Sequence, residues 1–193
     1  AHQAITAGGE VTTNVVVPDE SAPLVTALHA ASEANLILTS GGVSVGDHDH
    51  IHAGLQECGA AVLFRRVRMR PGRPVTIACM GDSLICALPG NPASSWATFE
   101  LLARPALRFM AGIPNARCPR LRLQVPVAAQ LSPLHTRDHF MRAIIRDGLA
   151  HPLPQQASGN LSSLTGVDGM IRVPAGTEDI PAHTPLWIYL IKP

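Results

Sequence analysis

A short apolar run, Leu36-Ile37-Leu38, leads straight into Thr39-Ser40-Gly41-Gly42-Val43-Ser44-Val45-Gly46-Asp47-His48-Asp49. Three apolar residues closed by hydroxyls and adjacent glycines read as a buried parallel strand ending in a turn. A parallel strand needs a crossover and helical cover, which commits this part of the chain to an α/β architecture. Ligands of open α/β sheets bind in the crevice beyond the carboxyl ends of the strands. Glycines there let backbone N–H groups approach an anion, and hydroxyls add donors. The carboxylates of Asp47 and Asp49 suit a divalent cation beside it. A plainer reading also stays open: a tight strand-to-helix turn with Asp47 or Asp49 as N-cap.

The surrounding pattern extends the α/β reading. Val11 to Val17 predicts a β-branched strand closed by Pro18-Asp19. Ser21 to Ala34 predicts a helix, with Leu24, Leu28 and Ala31 at helical spacing and Ser21 as N-cap. A helix from about Asp49 to Cys58 and a strand over Ala61 to Val67 follow. Val75–Met80 and Leu84–Leu88 flank Gly81-Asp82, a two-residue hairpin signal. A long helix then runs from about Ala93 to Met110. This alternation predicts a three-layer α/β domain over 1–114. Beyond it Arg120 to Val125 alternates with period two, and Met141–Arg146 and Leu149 flank an Asp147-Gly148 turn. Pro185 to Ile191 closes the chain with a last strand, so 115–193 is expected to be a small all-β barrel domain.

Composition narrows the function. With 46% hydrophobic and 15% charged residues the chain can bury a core, and a net charge of +1 gives no ground for nucleic-acid or membrane-surface binding. No apolar run approaches the roughly 20 residues of a membrane span, and no secretory signal is visible. Cys58, Cys79, Cys86 and Cys118 lack metal-type spacing and read as thiols of a reducing, cytoplasmic compartment. Ile5-Thr6-Ala7-Gly8-Gly9 reads as the tail of a helix, so the chain is expected to be the C-terminal portion of a longer protein.

Two further constellations carry chemistry. In Arg65-Arg66-Val67-Arg68-Met69-Arg70-Pro71-Gly72-Arg73-Pro74, Arg66, Arg68 and Arg70 are expected on one face of an extended segment. Arg65, Arg66 and Arg68 read as a solvated basic edge, whereas Arg70 and Arg73, bracketing a Pro-Gly turn, read as oxyanion ligands. In Leu88-Pro89-Gly90-Asn91-Pro92-Ala93-Ser94-Ser95, Asn91 is placed to cap a helix with Pro92 at its first position. That leaves the N–H groups of Ala93 to Ser95 facing an anion. His48 and His52 share a helical spacing without a third ligand, and His135, His139, His151 and His183 read as surface or loop residues.

Together these loops resemble one family, the molybdopterin molybdenumtransferases of the MoeA and gephyrin E-domain group. The helix Phe99-Glu100-Leu101-Leu102-Ala103-Arg104-Pro105-Ala106-Leu107 and the later runs Gln156-Ala157-Ser158-Gly159 and Gly169-Met170-Ile171-Arg172-Val173-Pro174 extend the resemblance. It implies a MogA-like α/β domain followed by a β-barrel. The implied reaction inserts molybdate into adenylylated molybdopterin with release of AMP, assisted by Mg2+, in a cytoplasmic homodimer. Position by position it implies a catalytic and metal role for Asp49, with Asp47 as a second metal ligand. The cradle for molybdopterin falls to Thr39, Ser40, Gly41, Gly42, Ser44, Gly46, Arg70, Arg73, Pro89, Gly90, Asn91 and Pro92. Ser158 would face the site across the dimer. Arg70 and Arg73 stand where the family commonly carries lysines, which keeps anion binding and puts proton transfer in doubt. Family members also have N-terminal segments with an acidic motif that this chain lacks, so it is expected to hold part of a site. Molybdoenzymes or other cofactor-biosynthesis proteins are the implied further partners, with no nucleic acid and no membrane. Two alternatives stay open: a non-catalytic pterin-binding or scaffold module, and a MogA-type molybdopterin adenylyltransferase.

Overall fold

The apolar alternation within each central strand sorts its side chains into two cores, one on either face of the first sheet. The computed structural model describes residues 1–42, 50–114, 117, 119–132 and 136–191. The first sheet has the order β1 (Leu36–Ser40), β5 (Ser83–Leu88), β4 (Thr76–Met80), β2 (Ala61–Arg65). β1 and β5 are parallel, Leu36 opposite Leu84 through Ser40 opposite Leu88, and the remaining pairs are antiparallel. From β5, Ile85 and Ala87 enter one core with Leu24, Leu28, Ile51 and Leu55. Cys86 and Leu88 enter the other with Ala4, Ala7, Phe99 and Ala103. Helices α2 (Ser21–Ala30) and α3 (His50–Glu57) therefore cover one face. Helix α1 (His2–Thr6) and the long helix cover the other, and the expected three layers are present. Burial pushes the Cys86 thiol up to about 12, with the neighbouring Cys79 adding to the effect.

The long helix is α4 (Pro92–Thr98), a π-helical stretch Phe99–Ala103, and α5 (Arg104–Met110) in succession. The wide turn places Glu100 inside, 2% exposed, where its carboxylate accepts from Arg104 Nε at 2.8 Å and from Arg120 Nε at 2.7 Å. Gln3 Nε2 also donates to Glu100, at 2.8 Å.

Strand β3 (Met69–Arg70) leaves the first sheet altogether and pairs with β7 (Asp138–Arg146), Met69 opposite Asp138. It opens a six-stranded sheet that continues through β9 (Gly169–Val173), β10 (Pro185–Leu190) and β6 (Arg122–Pro126), with β8 (Leu149–Pro152) on β7. Val127, just past β6, bridges Ala150 of β8, which draws the two sides of this sheet towards each other. Its core holds Val127, Ala143, Ile171, Val173 and Ile188.

Several local expectations are corrected. Val11 to Val17 is not a strand; Val15 and Val16 are exposed, because β propensity without a partner strand leaves backbone groups that water satisfies better. Helix α2 is capped at Glu20, and Ser21 is its first helical residue, its hydroxyl donating to Glu57. His139 and His151 lie in strands, with His139 buried. His135, His48 and Cys118 lie outside the described residues.

Asp138 yields a pH prediction. Burial alone would raise its carboxyl, but the Ala175 N–H and the Arg172 guanidinium, with further charge from Arg68, hold it below its ordinary value. A lowered folded value stabilises fully above the unfolded range, near about 4, and is lost as pH falls through the folded value. Asp138→Asn should therefore cost about 1 kcal/mol at neutral pH and almost nothing in strong acid. Urea midpoints of the two proteins across that range check it.

Candidate functional site

Strand directions bring the predicted loops to one rim. β1 and β5 run parallel and end together, while β4 is antiparallel to β5 and begins at that same edge, Thr76 opposite Ala87. The turns after Ser40, after Leu88 and before Thr76 must then adjoin. Gly41 N–H donates to Leu88 O at 3.2 Å, and a Cβ on Gly90 would lie 3.3 Å from Gly41 Cα. A side chain at Gly90 would force the two loops slightly apart, and Gly41 takes a φ of 100° that disfavours any other residue.

The third turn arrives from the other sheet. After β3 the chain passes through the cis Arg70-Pro71 bond and Gly72, at φ 108°, to Arg73. Gly72 is packed against the Thr98 methyl of α4, so the turn sits on the helix that the Pro89-Gly90-Asn91-Pro92 loop begins.

These loops enclose a cavity of about 530 Å³. Of the predicted residues, Gly41, Gly42, Arg70, Arg73, Pro89, Gly90, Asn91 and Ser158 line it. Thr39, Ser40 and Pro92 stand beside it: the Ser40 hydroxyl lies 3.3 Å from that of Ser95, and the buried Thr39 Oγ1 has no partner among the described residues. Ser44, Gly46, Asp47 and Asp49 lie outside the described residues.

Asn91 does occupy the N-cap position, but its side chain makes no capping bond; Nδ2 donates to Ser158 Oγ at 3.3 Å. The Ala93 N–H donates to Ser158 O at 3.0 Å and the Ser95 N–H to Asn91 O at 2.9 Å, so neither is left for an anion as expected. Ser158, from the second sheet's side of the chain, lines the same cavity as Asn91. The second sheet's loop has replaced solvent at the helix start.

That loop is fixed from beneath. Arg142 in β7 is 1% exposed and donates from Nη2 to Gln155 O at 3.1 Å and to Ala157 O at 3.2 Å. Gln156 closes the clamp, accepting from Arg142 N at 3.0 Å and donating to Arg142 O at 2.9 Å. Desolvation lowers the Arg142 guanidinium from its ordinary value, and no carboxylate among the described residues offsets it.

Sequence reasoning missed Arg137 and Gln156, which line the cavity, and Arg142. Arg137 follows a loop and offers no spacing. The signal for Arg142 was a lone charge within the apolar strand Phe140 to Ile145, since charges are seldom fully buried without a purpose.

The basic segment is also revised. Arg65 is exposed on the edge strand β2, but Arg66 has φ 62° and residues 66–68 belong to no strand, so Arg66, Arg68 and Arg70 do not form the single extended segment expected. The positive φ breaks the two-residue alternation.

Among the described residues no group of His, Cys, Asp or Glu could hold a metal ion, and the described lining of the cavity has no carboxylate. Among the described residues no helix is long and apolar enough to cross a membrane.

Comparison with known proteins gives this cavity a context. The chain is 38% identical over 151 residues to the molybdenum cofactor synthesis protein cinnamon of Drosophila melanogaster, covering 76% of this chain and 25% of that one. It is 30% identical over 169 residues to a molybdopterin molybdenumtransferase of Bacillus subtilis, covering 84% of this chain and 38% of the relative. It thus spans 25% and 38% of the length of these two relatives. The crystal structure of a molybdopterin biosynthesis MoeA protein from Pyrococcus horikosii shares the fold, with a TM-score of 0.83 at 22% identity over 100% of this chain and 46% of that one. A family model described as a probable molybdopterin binding domain matches residues 1–109, and one described as the MoeA C-terminal region (domain IV) matches 124–186. On these matches the chain belongs to the family of molybdopterin-binding domains, joined to a MoeA-type C-terminal region.

Proposed function

We propose that this chain is the molybdopterin-holding part of a molybdopterin molybdenumtransferase, which inserts molybdate into adenylylated molybdopterin and releases AMP. One observation carries the reading. Arg70, Arg73 and Arg137 converge with Gly41, Gly42, Asn91 and Ser158 on one cavity whose described lining holds no carboxylate. Guanidinium groups bind phosphate and other oxyanions bidentately, and glycine loops let backbone reach the same group. The arginines would hold and orient the phosphate end of the pterin. Asn91 and Ser158, bonded to each other, would set the width of the opening.

The proposed division is an α/β unit over 1–114 and a barrel over 115–193, assembled as a cytoplasmic homodimer that serves molybdoenzymes. Three free cysteines among the described residues suit a reducing compartment. The described residues supply no carboxylate set for Mg2+ at the cavity, and Asp47 and Asp49 are the proposed ligands.

Titration calorimetry tests the reading on this chain and on a form extended at its N-terminus. Molybdopterin should bind to this chain, and Arg70→Gln and Arg73→Gln should each weaken it about ten- to a hundredfold, the loss of one charge-assisted contact. A scaffold would show no heat with molybdopterin or AMP. A MogA-type adenylyltransferase would instead consume ATP when given molybdopterin.

A further inference from the structure

Side chains alternate along β7, and Met141, Ala143 and Ile145 serve the core of the second sheet. Arg142 therefore stands on the sheet's other face, where it is the largest fully buried side chain among the described residues. Its Nη2 donates to Gln155 O and Ala157 O, whereas Nε and Nη1 are buried with no hydrogen-bond partner among the described residues. A buried charge with neither a counter-charge nor a full set of acceptors costs the fold stability. An apolar side chain of similar size would not. The ladder to β9, Arg142 opposite Met170, uses only backbone and forms whatever residue stands here.

What the guanidinium does alone is hold the loop above it. Residues 155–157 belong to no helix or strand, and Gln155 and Ala157 are exposed, so their carbonyls, once released, would turn to water. Gln156 between them is bonded to the N–H and the carbonyl of Arg142. Ser158 follows directly, its carbonyl accepting from Ala93 N–H and its hydroxyl from Asn91 Nδ2. Gln156 and Ser158 line the cavity, and Arg142 does not.

We infer that Arg142 is a positioning residue, which fixes the wall that Gln156 and Ser158 present to the ligand and does so at the expense of stability. It acts through the loop and touches no ligand. The inference rests on the reading of this cavity as the molybdopterin site. A buried group kept for function rather than for the fold shows itself when stability and binding respond to its removal in opposite directions.

Urea denaturation and calorimetric titration with molybdopterin, run on the same variants of the full chain, form the test. Arg142→Met should unfold at the parent's urea midpoint or above it, yet bind molybdopterin at least tenfold more weakly. Arg142→Lys keeps a cation whose three N–H donors can reach both carbonyls, and should restore affinity to within about threefold of the parent. Adding Ser158→Ala to Arg142→Met should weaken binding no further than the worse single variant, because both changes act on one wall. A methionine variant that binds like the parent, or that is less stable than the parent, overturns the inference. So does a lysine variant that restores no affinity, or a double variant whose losses add. If the parent itself does not bind molybdopterin, the cavity reading fails instead and takes this inference with it.

Discussion

Glu100→Ala should destabilise the protein by roughly 3–5 kcal/mol, a large part of the 5–15 kcal/mol typical of a folded domain. Its carboxylate is 2% exposed and accepts from Arg104, Arg120 and Gln3. Arg104 is itself 3% exposed, and burial lowers its guanidinium from the ordinary value while Glu100 opposes that shift. Removing the acid leaves a charge stranded in a low-dielectric interior, which costs more than the pair gains. The comparison that isolates this cause is Glu100→Met with Arg104→Met. It removes both charges at similar volume and should recover most of the loss, because Arg120 is more exposed and can turn to water. Guanidinium denaturation of the parent, the single and the double variants checks the order; a double variant no better than the single would show that packing, not charge, dominates. Arg120 also stands at the start of the second sheet's chain, so the single variant should loosen the seam between the two units.

Gly72→Ala is expected to cost on the order of 2–5 kcal/mol and to abolish ligand binding with it. Two terms add. A left-handed φ of 108° excludes an L side chain at about 1–2 kcal/mol. The new methyl would run into the Thr98 methyl, which is 0% exposed and cannot swing away while its hydroxyl donates to Ser94 O at 2.8 Å. Overfilling a packed site costs about 1–3 kcal/mol. Thr98→Ala relieves only the second term, so Gly72→Ala in that background should regain part of the stability. Regaining all of it would mean that φ contributes nothing.

Much of the first unit could be read from residues because its signals are local. Leu36–Ser40, the Gly81-Asp82 hairpin and the long helix follow from short apolar periods and turn chemistry. The Pro-Gly turn at Arg70–Arg73 and the Asn91-Pro92 helix start were also legible as turns, and Arg70, Arg73 and Asn91 do line one cavity, although the Ala93 and Ser95 N–H groups are taken by Ser158 and Asn91. Val11 to Val17 failed for a matching reason: β-branched residues make a strand only where a neighbour supplies the ladder, and among the described residues none pairs with them. Arg66 failed because alternation assumes an uninterrupted strand, and one positive φ reverses the side chain's direction.

By itself the sequence determined most of the helices, strands and turns of the first unit, and which turns bear cations and glycines, since these depend on neighbours a few residues apart. Only the tertiary structure decided that Met69–Arg70 belongs to the other sheet, that Asn91 bonds Ser158 rather than its own helix, and that Arg137 and Gln156 complete the cavity. Those outcomes depend on which of many competing partners a donor or strand edge finds when two sheets pack. The choice is made by burial and hydrogen-bond satisfaction across distant segments, and no short window of residues contains it.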